Sequence, residues 1–263
     1  GVLVTDWMGQ NPEILNTYCN SLSHDIGHVY ARYITGGAIG VAGGIGVACL
    51  ANKGAGCSGG NGVGDYGDFF LNVVGQEVGH QLGGGHTWIR CGGGGGRDAL
   101  AAYEPGSGST IMSYAGACGS DDVQGYSDLY YNAASIEQIT SFYMFGGVCG
   151  SYLQTTNHAP VVTLNYLPNL TLPISTPLEL NGSATDQDGD ELSYCWEEVD
   201  AGPETPLGEP AGNAAIFRTR PPVAETNRYF PKLNTVILNS SDKTEQLPTY
   251  SRDLTFRLTV RDN

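Results

Sequence analysis

The stretch Gln76-Glu77-Val78-Gly79-His80-Gln81-Leu82-Gly83-Gly84-Gly85-His86 constrains this chain more than any other part of it. Phe70, Val74, Val78 and Leu82 recur at steps of four, and Phe69 and Val73 form a second row. That spacing predicts an amphipathic helix from Asp65 to Leu82. Asp65 is placed to cap its start, and the glycines at 83 to 85 give the positive-φ freedom that lets a chain leave a helix abruptly. Gln76 and His80, four residues apart, project from one face of this helix. The glycine turn brings His86 back towards the same point from outside it, while Glu77 points beside that point. Two imidazoles and a third group then form a facial set with an open position, the arrangement by which proteins hold a catalytic zinc ion.

Glu77, His80, Gly83 and His86 stand in register with H-E-x-x-H-x-x-G-x-x-H, and the stretch resembles the extended zinc-binding motif of the metzincins. Downstream, Ser109-Thr110-Ile111-Met112-Ser113-Tyr114 resembles the Met-turn of that clan. The resemblance implies that Met112 is the floor beneath the metal and that Tyr114 reaches the zinc or the oxyanion of the reaction. The run from Gly40 to Cys49 is similar to the substrate-binding edge strand of the reprolysin, or adamalysin, branch, where an extended peptide pairs with an exposed strand. His86-Thr87 and the Met-turn are similar to secreted bacterial members of that branch, some with an immunoglobulin-like tail. By this resemblance the chain is expected to be a zinc endopeptidase in which Glu77 takes the proton of a metal-activated water. Its substrate would be an extended polypeptide. The first domain has no Gly-x-Ser-x-Gly elbow and so no motif for a serine nucleophile.

Gln76 departs from the motif. It offers a neutral amide oxygen where imidazole nitrogen is expected, and that is a much poorer zinc ligand. Two readings therefore stay open. One is a metallopeptidase whose zinc is weakly held, with Gln76, His80 and His86 as the ligand positions. The other is a catalytically inactive extracellular binding or adhesion protein that keeps the fold. His24, His28 and His158 lack the accompanying motif residues and read as uninvolved histidines.

The formal charge of −15 repels phosphates and anionic surfaces, which argues against nucleic acid or membrane partners. No apolar run approaches the roughly 20 residues of a membrane span. The chain is read as a secreted, monomeric protein whose export signal is removed or omitted. Of the seven cysteines, Cys19, Cys49, Cys57, Cys91, Cys118 and Cys149 form an even set expected to make disulfides, with the short Cys49 to Cys57 spacing as the first pairing to expect. Cys195, beside Trp196, reads as a buried free thiol.

Residues 1–157 are thus expected to form an α/β (α+β) metzincin-type catalytic domain, with a second helix from Ser135 to about Met144. Residues 158–263 are expected to form an all-β immunoglobulin-like or fibronectin-like sandwich, read as stopping short of a last strand. Its strand candidates are Val161 to Tyr166, Leu178 to Thr185, Leu192 to Val199, Ala214 to Arg218, Thr235 to Asn239 and Thr255 to Val260. Asp186, Asp188 and Asp190 alternate in a Gly-containing loop, a pattern that suits Ca²⁺ and equally suits a polar hairpin.

Overall fold

The computed structural model describes residues 3–19, 24–31, 39–60, 67–92, 95–146, 149–151, 153–164, 166 and 169–262. The chain divides into two compact units that are not contiguous in sequence. Gly1–His86, Thr110–Met112 and Tyr126–Tyr152 make the first; Thr87–Ser109, Ser113–Gly125 and Leu153–Asn263 make the second. Among the described residues no helix is long and apolar enough to cross a membrane.

The first unit is built on a three-stranded sheet of β1 (Val29–Ala31), β3 (Gly56–Gly59) and β2 (Gly40–Ala42), with β3 in the middle. β1 runs parallel to β3 and β2 antiparallel to it. Helices α1 (Val4–Tyr18) and α2 (Asp68–Gln81) both pack on β3. The central strand is Gly-Cys-Ser-Gly and wholly buried, and the packing requires small residues. A Cβ on Gly56 would lie 2.4 Å from Gln81 Oε1 and 2.5 Å from His28 Nδ1. Between them, His28 bonds Gln81 Oε1 at 2.7 Å and Ser58 Oγ at 2.8 Å, and Gln81 Nε2 donates to Gly27 O at 3.0 Å. This buried network pins the end of α2 to the sheet.

α2 begins at Asp68 with Gly67 as its N-cap and without a side-chain cap, so it is shorter than the spacing predicts. Asp65, the expected cap, lies outside the described residues. Its C-terminus is a Schellman turn: Gly83 takes φ +98°, its N–H donates to His80 O, and Gly84 N–H donates to Gly79 O. Of the three glycines only Gly83 uses positive φ. The loop after β2 adds a second donor to His80 O, from Gly46 N–H at 2.8 Å, and satisfies Gln81 O with Ala48 N–H at 3.0 Å. α3 (Ala133–Phe145) starts at Asn132, whose side chain accepts from Ser135 N at 3.1 Å.

The disulfides differ from the expected first pairing. Cys49 joins Cys149, across 100 residues of sequence, and Cys91 joins Cys118. Cys57 is free because its side chain is committed to the core with Trp7, Val29, Ala31 and Val41. Cys195 is a buried free thiol.

Among the described residues of the second unit, three two-stranded antiparallel sheets pair β4 (Val161–Thr163) with β6 (Ser183–Thr185), β5 (Leu178–Asn181) with β8 (Asn227–Phe230), and β7 (Ser193–Glu198) with β9 (Phe256–Arg261). Tyr194, Trp196, Ile216, Phe217, Phe230 and Leu258 form its main core. Thr235 to Asn239 is not a strand. Residues Leu233–Ile237 form a short helix, α4, that buries only Thr235, and among the described residues no strand pairs with this segment. Ala214 to Arg218 makes a single bridge, Phe217 to Glu245, rather than a ladder. Segments on either side of residue 153 share this unit. Ile89 and Ala102 form one buried cluster with Ala214 and Ala215, and Asp121 Oδ1 accepts from Leu207 N at 3.0 Å.

Candidate metal centre and active site

α2 carries Gln76, Glu77 and His80, and the Schellman turn returns the chain so that His86 faces His80. The two Nε2 atoms stand 3.2 Å apart with the rings nearly perpendicular at 87°. His80 Nδ1 lies 2.8 Å from Gly84 O. A carbonyl only accepts, so Nδ1 carries the proton and Nε2 presents its lone pair. Burial, reinforced by His86, pushes the pKa of His80 down to about 4, so the imidazole is neutral at neutral pH. Two nitrogens on one tetrahedral zinc ion, each at ~2.0–2.1 Å, are about 3.3 Å apart. The pair therefore fits a shared cation, and a backbone carbonyl behind His80 sets its tautomer as in established metal sites. Gln76 is half-buried one turn before His80 on α2, and its side chain could offer a metal only an amide oxygen.

Glu77 is 7% exposed and lies against β2. A Cβ on Gly40 would sit 2.6 Å from its Oε1, so the strand approaches the carboxyl closely only because Gly40 has none. Burial raises the Glu77 pKa to about 7, partly offset by the hydrogen bond from the Ala42 backbone. Burial, and then the Glu77 charge, also raises the Cys57 pKa, which keeps that thiol protonated and unreactive.

Beneath the helix, Met112 is fully buried. Gly75 and Gly79, four apart on one helix face, make room for the Met-turn. A Cβ at Gly79 would stand 2.5 Å from Met112 Sδ, and one at Gly75 would stand 3.2 Å from Ile111 Cγ2. Tyr131 Oη donates to Gly75 O at 2.7 Å, and Gln138 Oε1 accepts from Gly85 N at 2.8 Å. Sequence reading missed these four residues. The glycines leave a signal in their spacing, whereas Tyr131 and Gln138 leave none.

Tyr114 belongs to the second unit, where its ring lies 5.7 Å from that of Trp88, next to the Cys91–Cys118 bridge. In the same unit Glu104 is fully buried. It accepts from Thr87 Oγ1 at 2.5 Å and from Ser109 N at 2.9 Å. These donors flank the ligand loop and the Met-turn in sequence.

The carboxylates of Asp186, Asp188 and Asp190 converge within 4.8 Å. Much of this loop's bonding capacity is used internally. Asp186 Oδ1 accepts from the N–H groups of Asp188, Gly189 and Asp190, and Asp188 bonds His158, which holds its carboxyl below the ordinary range. His158 is thus engaged in this loop, as His28 is in the network under α2.

A helix with Glu77 and His80, a returning His86 and a buried methionine below them define a metzincin-type metallopeptidase domain. Residues 6–141 match the model of metallo-peptidase family M12B, reprolysin-like, and the chain belongs to that family. No curated protein matches the chain.

Proposed function

We propose that the chain is a zinc-dependent endopeptidase, and the observation that carries this reading is the pair of imidazole nitrogens 3.2 Å apart beside a buried glutamate. His80 and His86 would hold the ion, with Gln76 at the third position. When bound, the ion supplies a Lewis acid that acidifies a water molecule and polarises the scissile carbonyl. Glu77 takes a proton from the attacking water and returns it to the leaving amine, and its burial beside β2 keeps that proton from bulk solvent. β2 is a sheet edge that pairs only with β3 among the described residues, which suits it to align an extended peptide by backbone hydrogen bonds. By the resemblance of its Met-turn alone, Tyr114 is proposed to reach the zinc or the oxyanion of the reaction.

Two disulfides and the absence of a membrane-spanning helix among the described residues are compatible with an extracellular protein. Secretion and a monomeric state are part of the proposal. So is an immunoglobulin-like accessory module at 158–263, supported by the core around Trp196. One observation favours a second reading, a non-catalytic extracellular binding protein: the amide of Gln76 at a ligand position. Equilibrium dialysis against zinc followed by elemental analysis separates the two. One zinc per chain, lost in His80→Ala, supports the metal centre; a zinc-free parent chain moves the second reading to the front.

A further inference from the structure

The loop that carries His86 is held from two sides. From within, His80 Nδ1–H donates to Gly84 O at 2.8 Å. From outside, α3 reaches it with two residues one helical turn apart, Gln138 and Phe142. Gln138 Oε1 accepts the N–H of Gly85 at 2.8 Å. Phe142 packs on Gly83, where a Cβ would stand 2.7 Å from its own Cβ. Gly85 is buried and directly precedes His86. The helix that supplies these contacts is fixed at its start by the Asn132 cap, and the chain beyond its end is tied back by Cys49–Cys149.

We propose that Gln138 is a positioning residue for the metal ligand His86. By accepting the Gly85 N–H it sets the direction in which the chain presents the imidazole to His80. Without that acceptor a buried N–H loses its partner, and the loop relaxes to find another. The two imidazole nitrogens then lose their 3.2 Å spacing. The proposal rests on the metal-centre reading above, and Gln138 itself would touch neither metal nor substrate.

The test is a titration of the whole chain with cobalt chloride, read from the visible absorption of the bound ion, for the parent, Gln138→Ala and Gln138→Glu. Gln138→Ala should weaken cobalt binding by about tenfold or more, while Gln138→Glu, which keeps an acceptor oxygen at the same reach, should stay within about threefold of the parent. Metal-free Gln138→Ala should melt a few degrees below the parent, as one lost buried acceptor requires, while its cobalt affinity falls at a temperature where every variant is folded, which a merely structural loss of stability would not give. If Gln138→Ala does not fold, Gln138→Met, of similar length and without the oxygen, replaces it in the comparison. Unchanged binding in the variant that lacks the acceptor, or equal loss in both kinds of variant, overturns the proposal. A parent chain that takes up no cobalt overturns the metal-centre reading as well, so the two failures are told apart.

Discussion

Met112 Sδ occupies the space into which a Cβ on Gly79 would point, 2.5 Å from it. The contact lies one residue before His80, on the helix that presents the imidazole. Alanine is a better helix former than glycine by about 1 kcal/mol. Overpacking against a fully buried side chain costs about 1–3 kcal/mol, so the steric effect wins. Gly79→Ala is expected to unfold at lower urea concentration than the parent and to bind metal more weakly. A more stable variant would show that the Met-turn yields easily.

Glu77 gives a pH dependence whose sign is fixed. Its folded pKa, about 7, is raised from an ordinary value of 4.5. The stability linked to its proton is fully present below the unfolded value and is lost as pH rises through about 7. In metal-free protein Glu77→Gln should match the parent near pH 4 and exceed it at pH 8, by on the order of 3 kcal/mol. Chemical unfolding at both pH values checks this. An equal difference at both would remove the buried charge as the cause.

Cys49–Cys149 closes a long loop that holds the segment after β2 to the segment after α3. Replacing Cys149 by Ser, together with Cys49 by Ser, should cost about 2–5 kcal/mol in thermal or chemical unfolding. A double variant as stable as the parent would mean that packing alone holds these segments.

Glu104 is buried among neutral donors from Thr87 and Ser109. Glu104→Ala leaves those donors without their acceptor and should destabilise the chain by about 2–4 kcal/mol. Glu104→Gln, which keeps one carbonyl oxygen, should lose less. Equal losses would point to volume rather than hydrogen bonding.

What could be read in the sequence was local. The body of α2 follows from apolar steps of four, and its end from Gly83, whose φ of +98° is the conformation a Schellman turn needs. The approach of His80 to His86 follows from those two features. The rest depends on contacts that no local pattern encodes. Gln138 meets Gly85 across 53 residues, Tyr131 meets Gly75 across 56, and Cys49 meets Cys149 across 100. The run from Thr235 to Asn239 misleads for the opposite reason: its β-branched residues favour a strand, and tertiary context gives α4 instead.

The metallopeptidase activity is tested most directly by cleavage of an unfolded protein by the purified chain in zinc, with and without a chelator, beside Glu77→Gln and Gln76→His. Cleavage should be chelator-sensitive, abolished in Glu77→Gln and increased in Gln76→His. Absence of cleavage by both the parent and a well-folded, zinc-loaded Gln76→His chain would contradict that activity.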